Sequence, residues 1–137
     1  MNEFYVLVGS NINPDSNIKK GLAEIAAHPD LSIIQQSSLY ESEPYGMEGE
    51  NFINLVIFVE SARNYIEVEQ ALKQIELNCG RIRDPQNKFT SRTLDLDIID
   101  WNGFVGELNG KQFPDPEIKI REFISKPYNE LKAILRV

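Results

Sequence analysis

The clearest strand signal in the chain is Thr93-Leu94-Asp95-Leu96-Asp97-Ile98-Ile99, where large apolar residues alternate with carboxylates. Alternate side chains of a β-strand share a face, so Asp95 and Asp97 are predicted to point together while the apolar residues around them enter a core. Two carboxylates on one rigid face suit Mg²⁺, which prefers oxygen ligands and keeps waters and substrate phosphates in its other positions. A half-buried strand with a solvated acidic face is the commoner explanation of Asp-x-Asp when it stands alone.

The segments on either side of this strand predict the remaining elements of one α+β domain. In chain order they are a strand at 4–8, a helix capped by Asp15 or Ser16 and ending at Ala27, a strand at 31–40, a strand at 52–60 and a helix at 65–79 followed by Gly80. A last helix is predicted around 128–135. This βαββαβ order is that of a ferredoxin-like fold, a mostly antiparallel sheet with helices packed on one face. We expect a single domain over residues 1–137 with a C-terminal extension.

Composition and charge restrict the classes of partner. The chain has 137 residues, a formal net charge of −7 and one cysteine, Cys79. This acidic balance argues against broad nucleic-acid binding, and a lone cysteine forms no intramolecular disulfide. No apolar stretch approaches the ~18 residues needed to span a bilayer, and the first residues lack the features of a signal peptide. We expect a cytoplasmic monomer that acts on small molecules, with no membrane partner.

Three arginines lie close to the acidic strand despite the negative net charge. Arg81 and Arg83 follow the predicted helix, and Arg92 precedes Asp95 by three residues. Guanidinium groups make forked, permanently charged contacts with phosphate oxygens, so this cluster predicts a polyphosphate clamp. Internal Arg–Asp ion pairing explains the same cluster about as well. The polar loop at 83–88 is predicted to close over a nucleotide, although a solvated connector has the same composition.

Several of these segments together resemble the 6-hydroxymethyl-7,8-dihydropterin pyrophosphokinase family, whose members move pyrophosphate from ATP to a pterin alcohol in folate biosynthesis. The most specific segment is Arg92-Thr93-Leu94-Asp95-Leu96-Asp97-Ile98, and the resemblance covers nearly the whole chain. The other matching segments are Gly9-Ser10-Asn11, Ser38–Gly46, Asn51–Asn54, Ile75-Glu76 with Gly80–Arg83, and Arg121-Glu122-Phe123.

The resemblance implies a role for each matching residue, with ATP and the pterin as substrates and AMP as the leaving group. Asp95 and Asp97 would hold two Mg²⁺ ions and, with Arg81, Arg83 and Arg92, would form the catalytic group. The implied ATP-binding residues are Glu76, Arg81, Arg83, Arg92, Ile98, Asp115 and Arg121. The implied pterin-binding residues are Ser42, Glu43, Tyr45, Phe52, Asn54, Phe89 and Phe123. Phe52 and Phe123 would stack on the pterin ring, although core packing explains either one taken alone.

The chain departs from the family pattern at two places. The family usually has a Pro-His-Pro segment whose histidine contacts the ATP phosphates, and this chain has Asp115 between Pro114 and Pro116. A carboxylate ~5 Å from a phosphate charge, at an effective dielectric of ~20, is repelled by roughly 3 kcal/mol. The loop segment is Phe89-Thr90-Ser91-Arg92 in place of the family's Trp-Gly-Pro-Arg. Two alternatives therefore stay open: a homologue that binds pterin or nucleotide with little turnover, and a ferredoxin-like interaction domain.

Overall fold

The computed structural model describes residues 1–43, 51–80 and 94–136. The chain forms seven strands and three α-helices within these ranges. The strands are β1 (Asn2–Ser10), β2 (Ser32–Gln36), β3 (Tyr40–Ser42), β4 (Phe52–Ser61), β5 (Asp95–Trp101), β6 (Gly106–Leu108) and β7 (Lys111–Phe113). The α-helices are α1 (Pro14–Ala27), α2 (Tyr65–Asn78) and α3 (Glu122–Leu135), and a 3₁₀ helix covers Pro116–Lys119. None of the helices in these ranges is long and apolar enough to cross a membrane.

The main sheet has five strands in the order β2-β4-β1-β5, with β3 also paired to β4. Every pair in it is antiparallel. If β2 and β3 are counted as two parts of one interrupted strand, the connectivity is the predicted βαββαβ. The α+β, ferredoxin-like prediction is therefore confirmed, and β5 lies at one edge of the sheet. β6 and β7 form a separate hairpin.

The sheet is covered on both faces, which corrects the prediction of helices on one face. The core under α1 and α2 contains Phe4, Val6, Val8, Ile18, Ile25, Leu55, Ile57, Val68, Leu72, Ile75, Leu94, Leu96 and Ile98. The opposite core lies under α3 and contains Leu7, Val56, Ile99, Ile118, Ile124, Tyr128 and Leu131. The third helix has the strongest apolar stripe at helical spacing, and that stripe requires a second sheet face to cover.

The predicted long strand at 31–40 is interrupted at Ser37, between β2 and β3. The register of β2 against β4 shifts between Ile33 and Gln35, and β2 ends at Gln36. Ser37 then donates its amide to the Val56 carbonyl at 2.9 Å and accepts the Val56 amide on its hydroxyl at 3.0 Å. A side chain thus replaces one backbone acceptor, and the chain turns before β3 resumes pairing.

Two helix starts also differ from the predictions. α1 begins at Pro14 after Asn13, which has a left-handed φ of 41°, so neither Asp15 nor Ser16 is its cap. Proline at the first helical position has no amide to leave unpaired. α3 begins at Glu122, six residues before the predicted start, and continues through Pro127. Burial of its apolar stripe outweighs the one hydrogen bond that the proline omits.

Candidate active site

The two aspartates of β5 lie on the face of the sheet that α3 covers. Asp97 is directly opposite Leu7 on β1, and Asp95 is opposite Gly9. Directly opposed residues of paired strands project to the same face, and Leu7 packs in the core beneath α3. Leu94, Leu96 and Ile98, which alternate with the aspartates, enter the other core, as the alternation predicts. Asp95 and Asp97 are both half-buried, so their carboxylates stand at the surface of a rigid strand.

Glu76 of α2 holds the peptide between the two aspartates in place. Its side chain is 2 % exposed, and its carboxylate accepts the Leu96 amide at 2.7 Å. β5 is an edge strand, so this amide points away from β1 and would otherwise lack a ladder partner. A charged acceptor makes one of the stronger hydrogen bonds available to a backbone amide. Glu76 therefore fixes the segment from which both acidic side chains project.

A polar row crosses the sheet beside the acidic pair. Tyr40 is opposite Asn54 on β4, Asn54 is opposite Gly9 on β1, and Gly9 is opposite Asp95. Because adjacent strands lie about 4.8 Å apart, the backbones of Asn54 and Asp95 are separated by about 10 Å. Gly9 leaves room for the Asn54 side chain, since a methyl group at Gly9 would collide with the side-chain oxygen Oδ1 of Asn54.

Asn54 has an unmet hydrogen-bonding requirement. Its side chain is 4 % exposed, and its Nδ2 is a buried atom without a hydrogen-bond partner within the part of the chain that the structure describes. Buried polar atoms are nearly always paired, because a lost hydrogen bond to water costs about 1–3 kcal/mol. An amide donor kept in this condition is suited to a carbonyl oxygen or a ring nitrogen supplied by a ligand.

The predicted aromatic and loop residues that the structure describes lie on separate elements. Ser42 is directly opposite Phe52 at the end of the β3–β4 ladder. Phe52 is half-buried, and Phe123 is a half-buried residue that packs against the core beneath α3. Glu43 follows β3 and is exposed. Tyr45 and Phe89 lie outside the described residues.

A cavity of about 230 Å³ follows the outer edge of β5, between α2 and β7. Three of its lining residues, Glu76, Asp97 and Ile98, are among those that the sequence predicts for the site. The others are Tyr65, Glu69, Leu72, Lys73, Leu96 and Lys111. Drug-sized ligands occupy pockets of roughly 300–1,000 Å³, so this volume suits a flat heterocyclic base better than a whole nucleotide.

Three ionisable side chains of this cavity form a connected group. Burial raises the pKa of the Tyr65 hydroxyl well above its ordinary value, and its hydrogen bond to Glu69 raises it further. Burial also raises the pKa of Glu69, but hydrogen bonds from Lys73 and Tyr65 outweigh it, so the pKa lies below its ordinary value. Lys73 lies 2.9 Å from the Glu69 carboxylate. On this part of the cavity wall, Glu69 thus joins Tyr65 and Lys73 through hydrogen bonds.

Comparison with known proteins identifies the family. A model of the 7,8-dihydro-6-hydroxymethylpterin-pyrophosphokinase family matches residues 5–133. The chain belongs to this family.

Relatives named 2-amino-4-hydroxy-6-hydroxymethyldihydropteridine pyrophosphokinase agree with this membership along most of their length. The Pseudomonas aeruginosa protein is 31% identical over 97% of this chain and 82% of its own length. The Bacillus subtilis protein is 30% identical over 93% of this chain and 76% of its own length. The Haemophilus influenzae protein is 28% identical over 96% of this chain and 82% of its own length. Members of the pyrophosphokinase family are ATP-dependent transferases of folate biosynthesis, and this chain shares their α+β architecture.

The departure from the family at position 115 has a local structural role. The Asp115 carboxylate accepts the Glu117 amide at 2.9 Å and so caps the 3₁₀ helix. Its other oxygen lies 3.7 Å from the ammonium Nζ of Lys111. Lys111 also donates to the Ile98 carbonyl at 2.8 Å on the edge of β5. A cation from the β6–β7 hairpin therefore lies between Asp115 and the cavity, and neither Lys111 nor this pairing was apparent from spacing along the sequence.

The predicted arginines are divided between described and undescribed parts of the chain. Arg121 precedes α3, and its Nε donates to the Glu117 carboxylate at 2.8 Å. Its contact with Glu117 places it beside the helix that Asp115 caps. Arg81, Arg83 and Arg92 lie outside the described residues, so the polyphosphate clamp stays a prediction.

The acidic pair fits the donor set that Mg²⁺ requires. In the described residues no group of three or more His, Cys, Asp or Glu side chains is arranged to enclose a metal. Mg²⁺ does not need such an enclosure, since it is usually held by one or two carboxylates together with substrate phosphates and water. Asp95 and Asp97 supply that minimum from one face of one strand. The metal itself stays a prediction.

Proposed function

We propose that this protein transfers pyrophosphate from Mg-ATP to 6-hydroxymethyl-7,8-dihydropterin and releases AMP, acting as a single-domain cytoplasmic monomer. The observation that carries the proposal is the polar row across the sheet, in which Asn54, whose buried amide nitrogen has no hydrogen-bond partner among the described residues, lies two strand spacings from Asp95, or about 10 Å between backbones. Family membership supports the reaction class. The row supports a specific arrangement of the two substrates on this chain.

The pterin is proposed to bind at the Asn54 end of the row. Asn54 Nδ2 would donate to a carbonyl or ring nitrogen on the polar edge of the pterin, which would satisfy the buried amide. Phe52 and Phe123 would stack on the ring, with Ser42, Glu43, Tyr45 and Phe89 contributing contacts around it. Because Gly9 has no side chain, the Asn54 amide group can lie over the β1 backbone, on the side of β4 that faces β5.

The nucleotide is proposed to bind at the other end of the row. Asp95 and Asp97 would hold two Mg²⁺ ions, which when bound stabilise negative charge on the phosphate oxygens. The cavity beside Ile98 would take the base, and Arg81, Arg83, Arg92 and Arg121 would surround the phosphates. Glu76 would contribute to ATP binding by fixing the strand from which both aspartates project.

The chemistry then follows from positioning. The hydroxymethyl oxygen attacks the β-phosphorus of ATP, the bond from that phosphorus to the α-phosphate oxygen breaks, and AMP leaves. Phosphoryl transfer passes through a loose transition state, so aligning the two oxygens and stabilising their charge supply most of the catalysis. The five-stranded sheet would provide that alignment, because the strands proposed to carry the two substrate sites, β4 and β5, both pair with β1 in one sheet.

Asp115 is proposed to lie beside the nucleotide with its charge balanced by Lys111. Asp115→Asn keeps a side chain that caps helices well and removes the negative charge. Because Lys111 already faces the carboxylate, we expect the ATP dissociation constant to change by less than about threefold, whereas an unshielded charge at ~5 Å predicts about a hundredfold. An increase in ATP affinity of tenfold or more would show that the carboxylate faces the phosphates directly.

The deciding experiment is incubation of the protein with Mg-ATP and 6-hydroxymethyl-7,8-dihydropterin, with chromatographic detection of the nucleotide product. AMP in equal amount to the pyrophosphorylated pterin is expected. ADP as product would reject pyrophosphate transfer. If there is no product but ligands raise the melting temperature, the chain is a binding homologue with little turnover. If neither ligand changes the melting temperature, an interaction domain becomes the better account.

A further inference from the structure

A single carboxylate on α3 connects that helix to the chain that leads into β3. Glu130 accepts the Ser38 amide at 2.8 Å and the Ser38 hydroxyl at 3.0 Å on one oxygen. Its other oxygen accepts the Tyr40 hydroxyl at 2.5 Å. We call these three residues the Glu130 clasp. Three donors on one carboxylate hold it in one orientation, which a single surface ion pair does not achieve.

The Glu130 clasp lies next to the proposed pterin site. Tyr40 is directly opposite Asn54, whose buried amide is the proposed pterin donor. Ser38 lies two residues before Tyr40, in the segment between β2 and β3. Within the described residues, the hydrogen bonds from this segment to β4 are the two that Ser37 makes with Val56. Pairing with β4 sets the register of β3, and the Glu130 clasp ties the start of β3 to α3.

Glu130 and Phe123 are both on α3, and Phe123 packs against the core between α3 and the sheet. The clasp thus fixes the separation of two groups that would contact one ligand, a stacking ring on α3 and the polar strand β3. By contrast, the acidic pair lies on β5, three strand spacings from β3 in the sheet order, or about 14 Å. A change in the Glu130 clasp is therefore expected to weaken pterin binding more than nucleotide binding.

We propose that Glu130 is a positioning residue that sets pterin affinity by locking β3 to α3. The inference rests on the proposed function and deepens it, because it assigns a determinant of substrate recognition to a residue that does not itself contact the substrate. It acts through Tyr40 and Ser38, and its effect is confined to the pterin.

The test uses steady-state kinetics of Glu130→Ala and Tyr40→Phe, with Glu130→Gln as the conservative variant. Glu130→Ala is expected to raise the KM for the pterin at least tenfold while the KM for ATP stays within twofold. Tyr40→Phe removes one of the three donors and is expected to have a smaller effect in the same direction. Glu130→Gln keeps an acceptor oxygen and is expected to restore part of the affinity. Asn129→Ala, at an exposed neighbouring position on α3, is the matched control and is expected to behave as wild type.

Amide hydrogen exchange by NMR provides a readout that does not depend on turnover. The Ser38 amide, which donates to Glu130, is expected to exchange faster in Glu130→Ala, while the Ser37 amide, which donates to Val56, keeps its protection. Unchanged Ser38 exchange would overturn the proposal because the clasp would be absent. Faster Ser38 exchange with an unchanged pterin KM would overturn the positioning role. Equal increases in both KM values, or unfolding of Glu130→Gln and Tyr40→Phe, would reduce Glu130 to a general stabilising contact.

Failure of the proposed function gives a different pattern. If the wild-type protein releases no AMP, pyrophosphate transfer is rejected while the role of Glu130 is still decided by pterin affinity, measured by fluorescence titration on the same variants. A loss of pterin affinity in Glu130→Ala with unchanged binding of a non-hydrolysable ATP analogue supports the inference. Equal pterin affinity in wild type and Glu130→Ala, or no pterin binding to either, overturns it.

Discussion

Replacing Asn54 by leucine is expected to stabilise the free protein and weaken its binding of the pterin. Leucine has nearly the same shape as asparagine but has no donor to leave unpaired at a site that is 4 % exposed. Removing a buried, unsatisfied amide relieves a penalty of about 1–3 kcal/mol. The melting temperature should therefore rise by several degrees, since 1 kcal/mol corresponds to about 2–8 °C for domains in this size range.

The same substitution removes a hydrogen bond from the complex and leaves a ligand acceptor buried without a partner. A cost of about 1–3 kcal/mol corresponds to an affinity loss of about 5- to 150-fold. Calorimetric unfolding and fluorescence titration with the pterin measure the two effects on the same samples, and Asn129→Leu on exposed α3 surface is the matched control. A lower melting temperature together with unchanged pterin affinity would refute the reasoning, because Asn54 would then be a paired structural residue.

Three further outcomes follow from individual contacts. Asp97→Ala should abolish AMP release while the circular dichroism spectrum and melting temperature stay near wild type. Full activity of this variant would show that Asp97 does not bind the catalytic metal. Glu76→Gln should lower the free energy of unfolding by about 1–2 kcal/mol and raise the KM for ATP, since the Leu96 amide would lose its carboxylate acceptor. An ATP KM equal to that of the wild type would show that Glu76 does not affect nucleotide binding. The hydrogen bond from Tyr40 holds the pKa of Glu130 below its ordinary value of 4.5. A depressed carboxylate pKa contributes stability that is present above the unfolded-state value and is lost as the pH falls through the folded value. The difference in melting temperature between wild type and Glu130→Gln should therefore be constant from pH 7 to about pH 5 and shrink below about pH 4; a difference that does not depend on pH would show that Glu130 has no depressed pKa.

Much of the fold could be predicted from local patterns. The alternation around Asp95 and Asp97 placed both side chains on one face, and this prediction is confirmed by the register with Gly9 and Leu7. Gly80 was expected just past the second helix, and it has a φ of +87° at that position. These predictions succeeded because side-chain periodicity and cap chemistry depend on residues within one or two turns of each other.

Other features were set by interactions that a local pattern does not contain. The hydroxyl of Ser37 replaces a backbone acceptor and breaks the predicted long strand, yet serine in a polar stretch carries no such signal. Tertiary burial extended α3 through Pro127 and placed the helix on the second sheet face. Lys111 reaches the edge of β5 from a hairpin whose docking the sequence did not predict. In each case a long-range contact outweighed the local preference.

By itself, the sequence determined the type of each main element, the shared face of the two aspartates and the family resemblance that comparison confirmed. Only the tertiary structure decided which residues of other elements lie near these aspartates. The pairing of three strands puts Asn54 in the same row as Asp95, with Gly9 between them, and Glu130 accepts hydrogen bonds from Ser38 across 92 positions of the chain. The physical reason is that periodicity is a property of the local backbone, whereas register and helix docking follow from the burial of both sheet faces at once.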